Sequence, residues 1–280
     1  MYRFGSVLGA LSLTATLTLA QKIPQQKFLL TAPQPGTVVF EELMAGEIPG
    51  VAVHRVSLCG PAKHVEISDP DHDVILLILE GKGTLETNGQ KFDLGDDTIV
   101  HVPLGWTRTL RVANGEALHL VRIWKELTAE DKAELSGAAY QANNAAPYVK
   151  KFRETQRYGE AIKSAKTVSR TLLAENHVPR VAIGTVETTG PDRVGAHRHP
   201  MLEQFFLGLK SHDVTVIADG RRAPHVEYSL LHIPLGSMHG VEVLEGKKLY
   251  YMWMDFFTSK AGQEWLKTHK PETEKPIAPK

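Results

Sequence analysis

What most narrows the fold of this chain is that it repeats itself. Val100-His101-Val102-Pro103-Leu104-Gly105 is answered 131 positions later by Leu231-His232-Ile233-Pro234-Leu235-Gly236. Upstream, Asp73-Val74-Ile75-Leu76-Leu77 matches Glu203-Gln204-Phe205-Phe206-Leu207 at a spacing of 130, and the turn pair Asn88-Gly89 matches Asp219-Gly220. One residue inserted in a hairpin would account for the change of spacing. Downstream, Gly115 matches Gly246 and residues 118–124 match 249–255. Two copies of one unit therefore make up most of the chain.

Each copy consists of short apolar or alternating runs separated by Gly, Pro, Asn and Asp, the punctuation of an all-β sandwich or barrel. The second copy predicts strands at 169–173, 181–187, 202–209, 214–218, 228–233, 241–244 and 248–257. The intervening stretch differs: Thr128 followed by Asp131 is a capping-box start and Ala and Glu are frequent, so one or two helices should link the repeats. Its Lys150, Lys151, Arg153 and Arg157 read as a solvated face. The boundaries that follow are 21–127 for the first barrel, 128–165 for a helical linker, 166–260 for the second barrel and 261–280 for a C-terminal tail. Residues 1–20 read as a secretory signal: Arg3 opens it, residues 7–20 are uncharged and largely apolar, and Thr18-Leu19-Ala20 offers a cleavage site before Gln21. The mature chain is then expected in the periplasm or outside the cell.

Composition excludes some partners. With 42% hydrophobic and 23% charged residues the chain has the balance of a folded globular protein. Its 32 basic and 32 acidic side chains cancel, leaving no excess charge to hold nucleic acid or an anionic membrane. Cys59 is the single cysteine, so neither an intramolecular disulfide nor a multi-thiolate zinc site can form. Any metal must be held by histidines and carboxylates.

The second copy carries such groups in His197-Arg198-His199-Pro200-Met201-Leu202-Glu203 and in Pro234-Leu235-Gly236-Ser237-Met238-His239. In an extended strand His197 and His199 point the same way. Glu203 opens an apolar strand, where a lone carboxylate is costly to bury and needs compensation. Pro234-Leu235-Gly236 makes a tight reversal, and His239 begins the next strand, placed for a third imidazole in the same cavity. Three neutral imidazoles with one carboxylate suit one divalent transition metal, Fe, Mn, Zn, Ni or Cu, better than Mg or Ca. Counted from Glu203, Phe205 and Leu207 should face the cavity, with Gln204 and Phe206 facing away.

With these two motifs, HxHxxxE and PxGxxH, the chain resembles the cupin superfamily, specifically a bicupin with two tandem jelly-roll barrels. The resemblance covers residues 51–124 and 181–257. It implies His197, His199, Glu203 and His239 as metal ligands in the C-terminal barrel. At the same offsets the first copy reads Ile67, Asp69, Asp73 and Arg108, so that barrel has lost its imidazoles. One reading pairs Arg108 with Asp69 or Asp73 as a fixed cation in place of the metal; the other, favoured on composition, leaves both Asp in an exposed loop. His101 and His232 occur at matching sites in both copies and read as structural.

A superfamily that hosts dioxygenases, decarboxylases, isomerases, lyases and plain binders does not fix a reaction. An oxygenase needs only the metal ligands and an apolar pocket, so it leads, with Glu203 as both ligand and catalytic base. A lyase, decarboxylase or isomerase, or a non-catalytic binding protein outside the cytoplasm, stands as the alternative. The expected partners are a small-molecule substrate and, as an option, further copies of the chain.

Overall fold

Runs of β-branched and aromatic residues between Gly-, Pro- and Asp-containing turns form antiparallel sheets in the computed structural model, which describes residues 22–268 and 272–273. The expected signal segment and most of the last ten residues lie outside that range. After β1 (Gln25–Lys27), the first half contains β2 (Val38–Leu43), β3 (Val51–Cys59), β4 (Ala62–Glu66), β5 (His72–Thr87), β6 (Gln90–Gly95), β7 (Thr98–His101), β8 (Arg108–Val112) and β9 (Ala117–Glu126). A connecting segment holds α1 (Ala129–Leu135), α2 (Ala138–Asn143), β10 (Tyr148–Lys151) and β11 (Gln156–Tyr158). The second half contains β12 (Val168–Leu173), β13 (Val181–Thr189), β14 (Asp192–Arg198), β15 (Leu202–Gly208), β16 (Asp213–Ala218), β17 (Arg221–Val226), β18 (Ser229–Ile233), β19 (His239–Val243) and β20 (Lys248–Phe257). α3 (Lys260–Thr268) and a short β21 (Glu272–Thr273) follow.

The seven strands expected in the second copy are all present, with ends shifted by a residue or two. β17 went unread because Pro224 interrupts it; it is tolerated because β17 is the edge of its sheet. The expected tail is helical over α3, and the expected helical linker includes two strands as well as its two helices. The extra residue of the second copy is not in a hairpin. Ile78 pairs with Leu120 as Gly208 does with Tyr251, and Thr84 pairs with Asp93 as Thr215 does with Pro224. The insertion therefore lies between Gly208 and Thr215, at the corner where the chain passes from one sheet to the other.

Each half closes around its own apolar interior, one built from residues such as Val56, Leu76, Ile78 and Leu120, the other from Val186, Phe206, Val216 and Tyr251. The opposite faces of the same strands meet between the halves: Ile75, Leu77, Val121 and Ile123 pack in one cluster with Phe205, Leu207, Met252 and Met254. The halves also exchange strands. β1 pairs with β18 of the second half, Lys27 opposite Ser229, and β10 pairs with β7 of the first, Lys151 opposite Thr98. The next residue after each, Phe28 and Phe152, is buried in the shared cluster.

The capping box is present: Thr128 and Asp131 exchange side-chain and backbone hydrogen bonds at the start of α1. Asp131 also accepts from Arg180 Nε at 2.7 Å and lies 3.6 Å from Lys125 Nζ, so one buried carboxylate ties the connecting helix to both halves. Asp131→Ala leaves two cations without their partner and is expected to cost about 3–5 kcal/mol in urea unfolding; a loss below about 1 kcal/mol would make the cluster a surface-type pair.

A second buried polar chain reports on pH. Tyr250 N–H donates to His212 Nδ1 at 3.0 Å, so His212 Nε2 carries the proton and donates to His225 Nδ1 at 2.9 Å; His225 Nε2 in turn donates to the Ser229 carbonyl at 3.1 Å. Both rings are neutral, with burial pushing His212 well below its usual range and His225 down to about 4. Below pH about 6.5 the unfolded chain takes up protons that these rings refuse, so stability is full above that value and falls with acidification, by on the order of 1 kcal/mol per pH unit per histidine. Urea midpoints at pH 7 and pH 5 should differ accordingly; equal midpoints would refute the neutral chain.

Candidate metal centre

β14 and β19 run antiparallel with Val194 opposite Val241, then slip so that His197 stands opposite His239. The bulged residues cross Gly240, where a Cβ would lie 3.0 Å from the Val194 carbonyl oxygen, so a larger residue would crowd the close approach. The slip turns His197 inward beside His239, their ring centroids 4.4 Å apart, and His199 joins them at 5.0 Å from His197 and 5.8 Å from His239. One nitrogen from each ring lies within 4.8 Å of the others. His197 Nδ1 donates to Gly195 O at 2.8 Å and His239 Nδ1 to Ser237 O at 2.9 Å, which fixes both tautomers and leaves both Nε2 lone pairs available. His239 Nε2 and His199 Nδ1 are buried with no hydrogen-bond partner. Burial drives all three pKa values down, His199 to about 3, so the cluster is neutral at physiological pH. Three neutral imidazoles with orphaned nitrogens fit a transition metal.

The structure brings together three of the four expected ligands. Glu203 is not among them: its Oε2 accepts from His232 Nε2 at 3.0 Å and from Leu235 N–H at 2.8 Å, and its side chain lines a separate cleft with Lys125 and Arg180. The compensation its charge needs comes from hydrogen bonds. His232 is anchored on its other side by Glu47 of the first half, at 2.8 Å. The alternation along β15 is thus opposite to that expected. Phe205 and Leu207 face the other half, while Gln204 and Phe206 line the cavity of the histidines. A slip of one residue inverts every side chain of a strand. Gln204 Nε2 donates to Asp255 Oδ1 at 2.7 Å, which leaves its Oε1 buried and unpartnered, available as a further neutral donor in this cavity. Asp255 is pushed up to about 7 by burial.

The sequence did hold a signal for this pair. Val74 and Trp124 stand in register in the first half as Gln204 and Asp255 do in the second. An apolar pair in the first half is answered by a polar pair in the second, a difference that falls on the cavity of the histidines.

The cavity has a volume of about 570 Å³. Its apolar wall includes Phe206, Trp253 and Phe257, and its polar wall comes from the connecting segment as Tyr158, Glu160 and Lys163. That segment is docked on β14 by a Gly195 N–H to Ile162 O bond of 2.8 Å and by a bridge between Lys163 and Val194. Reading the segment only as a linker missed these residues.

The bulge also revises the comparison with the first half. There Glu66, not Ile67, stands opposite Arg108, and Ile67 is exposed. Arg108 pairs with Glu66 at 3.3 Å, and Arg122 binds the same carboxylate. Asp69 does form a turn, accepting from Asp71 N–H at 2.8 Å. Asp73 is buried on His101 Nε2 at 3.0 Å, the counterpart of Glu203 on His232. Among the described residues, the histidine triad is the one cluster of this kind.

No protein-family model and no curated protein matches this chain. Solved structures do. A cupin 2 conserved barrel domain protein from Leptotrichia buccalis matches with a TM-score of 0.59 at 14% identity, over 85% of this chain and 99% of its own. A Bacillus subtilis oxalate decarboxylase studied for its Mn(II) centres matches with a TM-score of 0.59 at 11% identity, over 89% of this chain and 82% of its own. Vicilin from hazelnut, Corylus avellana, matches with a TM-score of 0.55 at 10% identity, over 76% of each chain. Together with the duplicated antiparallel sheets and the triad on β14 and β19, these likenesses give the chain a cupin fold in its two-barrel form, with a histidine cluster able to hold a metal in the C-terminal half.

Proposed function

We propose that this chain is a mononuclear-metal oxygenase acting on a small organic anion, exported by the apolar segment at residues 7–20. The observation that carries the reading is the neutral triad with two fixed tautomers, two of whose rings, His197 and His199, line a cavity large enough for a small molecule. His197, His199 and His239 would hold the ion, with the Gln204 carbonyl as a further donor. A divalent ion on three neutral imidazoles keeps its full charge and open positions, and so supplies Lewis acidity and, for Fe, Mn or Cu, one-electron chemistry toward O₂. The protein supplies the rest: Phe206, Trp253 and Phe257 pack the carbon body and exclude water, while Asp255 orients Gln204. The Mn(II) centres of the oxalate decarboxylase support a metal in this fold.

One observation favours a second reading, a lyase, decarboxylase or isomerase. Proton-transfer chemistry needs an acid or base beyond the ligands, and Asp255, Glu160 and Lys163 all line the cavity.

Protein purified without added metal or chelator should contain about one transition metal per chain. His197→Ala and His239→Ala should remove most of it, whereas Glu203→Gln should leave it in place; elemental analysis decides, and metal loss in Glu203→Gln would return that residue to the ligand set. For reaction type, O₂ uptake is measured across catechols, flavonols and enolic acids, with anaerobic product analysis alongside. Uptake matched to product formation is expected. Turnover unchanged without O₂ would transfer the assignment to the second reading, and tight binding without turnover would indicate a binding protein.

A further inference from the structure

We propose that the outer edge of β2 pairs with the same edge of a second copy of this chain, antiparallel and about a twofold axis through Phe40. The contact lies on the first half and is independent of the metal.

The central sheets of the two halves end differently. In the second half the strands run β1-β18-β15-β20-β13-β12-β11, and in the first β10-β7-β5-β9-β3-β2, so β11 has no counterpart among the described residues. The registers place β2 where β12 stands: Phe40 is opposite Val56 as Ser169 is opposite Val186. β11 covers β12 as an antiparallel strand, with Tyr158 opposite Ser169. The chain then continues onto β14, where Ile162 and Lys163 dock. Along the corresponding path of the first half, from the edge of β2 to that of β4, no described strand lies. This path carries Val39, Phe40, Val65 and Ile67, four of the seven large apolar side chains exposed among the described residues. Phe40 leans its ring on His64, 5.2 Å between centroids, yet stays 43% exposed. Val38-Val39-Phe40-Glu41-Glu42-Leu43 contains neither Lys nor Pro, the residues that most often blunt an edge.

The identity of the occupant follows from the register. A bond of 3.2 Å from Cys59 N–H to the Thr37 carbonyl turns Thr37 toward β3, so by alternation Val38, Phe40 and Glu42 turn their N–H and C=O groups outward. Two copies paired with Phe40 opposite Phe40 join all of these groups, since Val38 then meets Glu42 of the partner subunit. Glu41 meets Val39, so no acid faces an acid, and the central aromatic pair adds to the contact. Moving the axis to Glu42 sets two carboxylates face to face, and moving it to Val38 runs the strand into the turn at 34–37. β2 thus carries the complement of its own edge in both apolar length and charge, which selects a second copy over an unrelated strand.

The test is sedimentation velocity of the full chain from about 1 to about 100 μM, with hydrogen exchange read at the β2 amides. The wild type should pass from one to two chains over this range, and the Val38, Phe40 and Glu42 amides should slow as it does. Phe40→Lys sets two ammonium groups together on the axis and should weaken association about hundredfold or more. Glu42→Pro removes an outward N–H without touching the ladder to β3 and should weaken it about tenfold, which keeps the test open if Phe40→Lys fails to fold. Mixing Phe40→Lys with Phe40→Glu should recover the dimer, because a twofold pairing through residue 40 sets the opposite charges together. A monomer at every concentration, a dimer that survives both variants, or no recovery in the mixture overturns the proposal. Slow exchange at β2 in a monomer also overturns it, by placing a segment of the same chain on this edge.

Discussion

Two central sheets lie back to back, one from each half, and their meeting face is buried from Ile75 and Leu77 across to Phe205 and Met254. Because the reverse faces of the same strands line the barrel interiors, these strands have little side left for solvent, and a charged group admitted to them needs a partner close by. Asp73 on His101 and Glu203 on His232 are the two solutions, made at equivalent positions. The exchange of β1 and β10 follows from the same contact, since each covers an edge of the other half's central sheet and then buries a phenylalanine between the halves. Asp131 fastens the connecting helix over this junction.

The halves differ most in chemistry where β14 meets β19 and β4 meets β8. Where the second half aims His197 at His239, the first aims Glu66 at Arg108 and adds Arg122. Both answers are sets of hydrogen-bonding groups that bury poorly alone. The imidazoles reach neutrality by losing protons, and leave lone pairs that an ion can use. The guanidinium pair is permanently charged, so it requires Glu66 as its counterion and leaves no lone pair for a cation. The first half keeps the barrel with an ion-paired cluster at this place, and the second has the neutral imidazoles there.

The cavity is a composite of three parts of the chain. The bulge in β14 aims the histidines, the registered pair of β15 and β20 contributes Gln204 and Asp255, and the connecting segment adds Tyr158, Glu160 and Lys163. A covalent link between barrels has become a wall of one of them. Residues brought to one cavity from such distant positions form no motif, which is why only the histidines stood out.

The residues alone were enough for the duplication, the all-β class, the connecting helices with the Thr128 cap, and the three imidazoles. These rest on local patterns: repeated strings, turn punctuation, and an alternation that sets His197 and His199 on one face. The orientation of β15 was not accessible in the same way. A strand apolar on both faces has no hydrophobic period, so Glu203-Gln204-Phe205-Phe206-Leu207 fits either facing equally well, and counting from Glu203 chose the wrong one. The three-dimensional packing decided it: Phe205 and Leu207 belong to the shared face, which turns Gln204 toward the cavity of the histidines and Glu203 toward His232. The same holds for the bulge between Val194 and His197 and for Lys163 on the cavity wall, both consequences of chain segments meeting at long range, where no neighbouring residue records the contact.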